Sequence, residues 1–406
     1  MQGQCLSREV IFHNSSQFAN DTARGKELGE RQVSSDLFNR STLMWLDKNN
    51  AVFFALLQAG LWGNDAQLLP YGEVDYEEIM RLAEEQSVVG LITAGLEHVT
   101  DVTVPKVELL QFIGQTLQIE ERNKELNSFI PKLTRKLKTE GVYSILVKGQ
   151  GVAQCYERPL LRASGDVDLL LNRKDYENAK KLLFPIAYDI ANENRQTMHQ
   201  AMEIMGVDVE LHGKMPFLLS ERVERVIDKV TEDALKRGGA SVWNVEGTDV
   251  YVPNVDNHIF LVFTHFLHHF FIEGVGLRQI CDWCRLLWTY RDKLDQELLE
   301  SRIRRAGLMT EWRVFAALAV DKLGMPKDAM PFYDARYKSK CVRVLERILK
   351  SGNMGHNNDL SYREKYSGLT YKLVALWRRM KDFAGFTRIF PIDAPKFFVH
   401  YVFRKI

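Results

Sequence analysis

The chain has 406 residues, 46% of them hydrophobic and 26% charged, with a formal net charge of +1, the make-up of an ordinary globular protein of about two or three domains. That balance gives no general attraction to nucleic acid or to an anionic membrane surface, and no stretch approaches the roughly 18 consecutive apolar residues of a membrane span. The five cysteines, Cys5, Cys155, Cys281, Cys284 and Cys341, are odd in number and scattered, and no signal peptide is read at the start, which suits a reduced, cytoplasmic protein.

Residues 1 to 42 are rich in Ser, Asn, Gln, Arg and Glu without an apolar period and read as a mobile arm or leader. Apolar residues then recur at helical spacing from Leu43 to Trp62 and stop at Gly63. A second helix pair follows, with Asp75 as its N-cap, and carries Ile79, Leu82, Ala83, Val88, Val89 and Leu91. One long helix is expected from Pro105 to about Glu140, ended by Gly141. Its basic end, Lys132 to Lys138, reads as a solvated face that complements the helix C-terminus.

The most informative stretch is ILVKGQGVAQCYERPLLRASGDVDLLL, Ile145 to Leu171. A short buried strand ends in a tight turn at Gly149, GVAQCY has helix-forming content, and an apolar strand resumes with Asp166 and Asp168 two positions apart. Residues i and i+2 of a strand share a face, so both carboxylates point one way while Val167 and Leu169 point the other. Paired acids repel and raise each other's pKa unless a cation lies between them, and hard oxygens at this spacing suit Mg²⁺. Lys148-Gly149-Gln150-Gly151, at a strand end and helix start, offers backbone N–H groups as a phosphate seat.

Downstream, Arg173 to Leu183 should be a helix, followed by a hairpin with strands near Gln196–Ile204 and Val207–His212 around a Met205-Gly206 turn. In the second strand Asp208, Glu210 and His212 share the polar face. A third acid on a neighbouring strand completes the carboxylate set needed for metal-assisted transfer from a nucleoside triphosphate.

The order strand, Lys-Gly turn, helix, R-x-S-G-D-V-D-L-L-L resembles the DNA-polymerase-β-like nucleotidyltransferase superfamily, and within it a bacterial family of uncharacterised nucleotidyltransferases. Lys148, Gly149, Arg162, Asp166 and Asp168 match its hallmark, Glu210-Leu211-His212 looks like its third element, and the likeness runs from about Tyr76 to the region near Trp288. The resemblance implies an α+β fold: a polymerase-β-like mixed sheet with helices, flanked by N-terminal helices and a C-terminal α-helical domain. The expected divisions are the arm (1–42), a helical region (43–140), the catalytic domain (141–253), a helical domain (254–350) and a helical tail (351–406). Two positions depart from the superfamily pattern: Gln150 stands where serine is common, and Glu210 where aspartate is.

From Ser220 the chain turns helical apart from a β-like insert, SVWNVEGTDVYVP. Helices are expected near Val255–Ile272, Leu277–Arg291, Gln296–Ala306, Thr310–Leu323 and Ala335–Leu349. His265, His268 and His269 sit at i, i+3 and i+4, a spacing that suggests zinc, but no matching cysteine or carboxylate is apparent, so they read as core or substrate-pocket residues. Cys281 and Cys284 fall inside a helix and read as buried small hydrophobes. Residues 351 to 368 are loop-like, a Trp/Arg/Lys-rich helix spans Tyr371 to Phe383, and the aromatic tail KFFVHYVFRK is expected to pack on the chain's own core.

The functional expectation is a Mg²⁺- or Mn²⁺-dependent nucleotidyltransferase that moves a nucleoside monophosphate from an NTP onto a hydroxyl or phosphate. Asp166, Asp168 and Glu210 are the catalytic and metal candidates. Lys148, Gly149, Gln150, Arg162, Ser164 and His212 are the nucleotide-binding candidates, with Arg278 and the histidine helix on the acceptor side. A small-molecule, sugar or peptide acceptor is implied by the resemblance alone, and nothing signals nucleic acid. Two alternatives are a nucleotide-binding or interaction module of the same fold without turnover, and a structural protein whose acids are neutralised by Lys148 and Arg162.

Overall fold

The computed structural model describes residues 48–215, 219–236, 238–358, 361 and 365–405. The arm and the start of the first expected helix, Leu43 to Asp47, lie outside them. From Val52 onward the described residues pack as one compact unit.

The N-terminal helices are α1 (Lys48–Trp62), α2 (Tyr76–Glu85), α3 (Val89–Glu97) and α4 (Lys106–Thr139). Asp75 accepts from the Glu78 N–H at 3.0 Å and starts α2, as its side chain suggests. The expected helix pair is α2 and α3, and Ser87, at φ 56°, makes the break between them. Helix α4 continues through Pro131 and stops before Gly141, whose φ is 69°.

The sheet has the order β1-β2-β5-β4-β3, built from β1 (Ile145–Leu146), β2 (Asp166–Leu170), β3 (Asp189–Ile190), β4 (His199–Ile204) and β5 (Val207–His212). Helix α5 (Arg173–Leu183), capped by Asn172, follows β2 as expected; the edge strand β3 is not marked in the sequence pattern. Strands β2 and β5 pair in parallel and the other neighbours antiparallel, so the sheet is mixed. The β4–β5 turn carries Met205 at φ 53° and Gly206 at φ 77°, the two left-handed positions that let a two-residue loop follow the strand twist. One sheet face is apolar: Val167, Leu169, Val209 and Leu211 pack with Leu126, Ile130 and Leu137 of α4 and Tyr176 and Ala179 of α5.

Helix α6 (Glu221–Leu235) leads to a hairpin of β6 (Ala240–Val245) and β7 (Thr248–Pro253), the β-like insert. The basic end of α4 is more than a solvated face. Arg135 Nη2 donates to Thr248 Oγ1 at 2.8 Å and Lys138 Nζ to the Asp249 carbonyl at 2.5 Å, tying the helix to this hairpin.

Five helices follow: α7 (Val255–Ile272), α8 (Leu277–Thr289), α9 (Gln296–Ala306), α10 (Met309–Leu323) and α11 (Lys338–Ser351). They interleave aromatic residues, with Phe263, Phe266, Trp283, Trp312 and Phe315 fully buried. The last elements are α12 (Gly368–Thr387) and α13 (Asp393–Lys405). Phe397 of the aromatic tail is buried against Phe271, whereas Phe403 stays exposed, so the tail packs on the core in part. Among the described residues no helix is long and apolar enough to cross a membrane.

Glu311 of α10 is fully buried, and burial first, then the charge of Asp393, pushes its carboxyl well above the usual range. The folded state therefore holds a proton that the unfolded chain releases above about pH 4.3, and stability declines as pH rises past that value. Glu311→Gln should stabilise the protein at neutral pH by about 1–3 kcal/mol and flatten the decline between about pH 5 and pH 7. Urea midpoints at the two pH values measure both effects.

Candidate functional site

The polar face of the sheet opens onto a cleft of about 640 Å³, closed on the far side by α7 and α8. Parallel pairing sets Asp168 opposite Glu210 and Asp166 opposite Asp208. Strand alternation does the rest. One oxygen each from Asp166, Asp168 and Glu210 lies within 4.8 Å of the others, and all three residues line the cleft.

Asp168 is the innermost of the three. Its Oδ1 meets Lys148 Nζ at 2.6 Å and His212 Nε2 at 2.8 Å, while its Oδ2 is buried with no hydrogen-bond partner among the described residues. A buried carboxylate oxygen without a partner is costly, and a cation held among the three acids is one way to satisfy it. Glu210 Oε2 lies 3.1 Å from His199 Nε2 and 3.3 Å from His212 Nε2.

The charges respond to one another. Asp168 raises the Asp166 carboxyl, with burial adding to it. Burial works against ionisation of Asp168, but Lys148 and the His212 hydrogen bond hold its carboxyl below the usual range. Glu210 is also held well below it: burial opposes, and hydrogen bonds from His199 and His212 prevail. His212 is raised in turn, since its bonds to Asp168 and Glu210 outweigh its own burial.

Gly149 makes the turn after β1 possible. Its φ of 55° with ψ of −123° is a conformation that side chains avoid, and a Cβ there would sit 3.3 Å from the Asp166 carbonyl. Gly149→Ala should cost about 1–3 kcal/mol and push β1 away from the acid-bearing strand. The expected readouts are a lower denaturation midpoint and weaker divalent-ion binding.

Other candidates sit differently from their expected roles. The helix after Gly149 is a single turn, Gln150–Ala153. The Gln150 side chain is buried and donates to Asn123 Oδ1 at 2.6 Å, away from the cleft, so its side-chain amide is part of the framework and any phosphate contact by Gln150 falls to its backbone N–H. Asn123 of α4 in turn donates to the carbonyls of Leu160 at 2.6 Å and Arg162 at 2.9 Å, fixing the loop that leads into β2.

Arg162 does not neutralise the Asp166–Asp168 pair directly. Its guanidinium makes a two-point contact with Asp282 of α8, 2.9 Å from Nε to Oδ1 and 2.7 Å from Nη2 to Oδ2. The Tyr156 hydroxyl also donates to Asp282, at 2.8 Å, and Ser164 Oγ accepts from Arg162 Nη1 at 2.6 Å. Arg162 and Ser164 therefore form a buried tie between the acid-bearing loop and α8. Arg278, beside them, donates to the Ala163 carbonyl at 3.2 Å, and its Nε has no partner among the described residues.

Two residues escaped the sequence reading. His199 stands across from His212, a placement that counting back from the Met205-Gly206 turn would have given. Glu273, four residues after His269, brings a carboxylate to the histidine helix and corrects the reading that none is at hand. Cys281 and Cys284 are buried and free, as two small hydrophobes should be.

No curated protein and no solved structure matches this chain significantly. A family model described as "uncharacterised nucleotidyltransferase" matches residues 72–324, from just before α2 to the end of α10, beyond the region of resemblance near Trp288. That span covers more than half of the chain and includes both acid-bearing strands and the two helices that wall the cleft, and the chain belongs to this family of uncharacterised nucleotidyltransferases.

Proposed function

We propose that this protein moves a nucleoside monophosphate from a nucleoside triphosphate onto a hydroxyl or phosphate of a small acceptor, through a polymerase-β-like site that uses Mg²⁺ or Mn²⁺. The observation that carries this reading is the β2–β5 register, which brings Asp166, Asp168 and Glu210 to one point of an open cleft with a buried Asp168 oxygen still unsatisfied. The three carboxylates are the groups that would hold the ion. When bound, such an ion supplies positive charge to the triphosphate oxygens.

The chain's own residues account for the rest. Lys148, now paired with Asp168, is placed to turn to the phosphates once the acids are engaged elsewhere. Arg278, with its Nε unused, is the second cation on the cleft wall and suits an anionic oxygen of nucleotide or acceptor. His212 and His199 keep Glu210 ionised, which favours ion-holding over proton removal for that carboxylate. Arg162 acts through Asp282, as a positioning residue.

NTPs labelled at the α- or the γ-phosphate test this. Metal-dependent release of the γ label as pyrophosphate, with the α label passing to an acceptor or to water, is the expected result. It should vanish in Asp166→Ala/Asp168→Ala. Release of the γ label as single phosphate, or turnover indifferent to that substitution, sinks the reading.

A further inference from the structure

The wall opposite the carboxylates carries a second group of ligands that nucleotidyl transfer leaves unused. On α7, His265, His268 and His269 follow the spacing i, i+3, i+4, and Glu273 comes one residue after the helix, i+4 from His269. One ligand atom each from His268, His269 and Glu273 lies within 4.8 Å of the others, and all three residues line the cleft. An ion with bonds of about 2.0–2.1 Å needs only modest side-chain rotation to draw such a trio in.

His269 is already oriented for this. Its Nδ1 lies 2.8 Å from Glu273 Oε2, and its Nε2 lies 3.1 Å from His265 Nε2. Metal-binding imidazoles are characteristically held at the other ring nitrogen by a neighbouring group, and His265 occupies that place. The His269 side chain is 11% exposed and that of Glu273 is 42% exposed, so the trio runs from the helix interior to the open cleft.

We propose that His268, His269 and Glu273 form a binding site for a nitrogen-preferring divalent ion of the Zn²⁺ class, with His265 orienting His269. Two imidazoles and one carboxylate suit such an ion, whereas the all-oxygen set across the cleft suits Mg²⁺. Three protein ligands leave a fourth position, and here it opens to the cleft, where it takes a water or an oxygen of an acceptor molecule. The site is independent of the nucleotidyl-transfer reading and stands if that reading fails.

The test uses the metal-free full chain, titrated with Zn²⁺ by calorimetry and with Co²⁺ by visible absorption, in excess Mg²⁺. Glu273→Gln alters an exposed carboxylate and keeps the fold; His268→Ala/His269→Ala is checked for folding by circular dichroism. Asp168→Ala/Glu210→Ala disables the ligand sets on the sheet. The expected result is one Zn²⁺ equivalent retained in the sheet variant, weakened at least about tenfold by Glu273→Gln and about 100-fold or more by the histidine pair. The site is disproved by a folded wild type that binds no Zn²⁺, by binding that Glu273→Gln leaves unchanged, or by binding lost in the sheet variant alone.

Discussion

Asp168→Asn should lower metal-dependent turnover by about 1,000-fold or more, the equivalent of roughly 4 kcal/mol of transition-state stabilisation. Asp168 is the most buried of the three acids and the one with a partnerless oxygen. An amide in its place keeps the volume but offers a weaker, neutral ligand and no charge for Lys148. In EDTA the variant should melt below wild type, since Lys148 and His212, which hold the Asp168 carboxyl ionised against its burial, lose their charged partner. Mg²⁺ or Mn²⁺ should raise the melting temperature of wild type and leave that of the variant unchanged. Asp189→Asn, on the edge strand β3, is the control and should leave turnover and melting unchanged. Full turnover in Asp168→Asn would remove the acid trio from the mechanism.

The second large effect belongs to the tie behind the site. Asp282→Ala should cost about 3–5 kcal/mol, because it strands the Arg162 guanidinium in the interior and leaves the Tyr156 hydroxyl unpaired. Arg278 makes this worse, since Asp282 is the anion that both guanidiniums share. Arg162→Met combined with Asp282→Leu should recover the part of that loss due to Arg162, as paired charges replaced together by apolar side chains often do, while Tyr156 and Arg278 stay without their anion. Activity should not return with stability, because Arg162 sets the loop leading into β2. Denaturation midpoints of Arg162→Met, Asp282→Leu and the double form a cycle, and a coupling near zero would show that the pair is not a unit.

The residues that sequence reading placed well are those governed by local periods. Alternation along β2 and β5 put Asp166, Asp168 and Glu210 on a common face before any partner was known, and Asp75 and Ser220, through their side-chain caps, and Gly141, through its left-handed backbone, mark element ends. What the sequence does not carry is partnership at a distance. Asp282 is 120 residues from Arg162, and Asn123 is 27 from Gln150; neither pair follows a period, and each exists only because α8 or α4 is packed against the loop. Gln150 shows how a distant partner decides what a side chain does. Its departure from serine bears on framework packing, since its amide is spent on Asn123.

The strand order has a consequence for how this protein matures. Strand β5 sits between β2 and β4, yet it is made last of the five, joined to β4 by a two-residue turn and to β2 only across the sheet. The β4–β5 hairpin can close early from neighbouring residues, while its insertion beside β2 must wait for a long loop to close. Until then Asp166 and Asp168 lack their third companion. At the proposed metal site, ion uptake during refolding would therefore wait for the hairpin to dock.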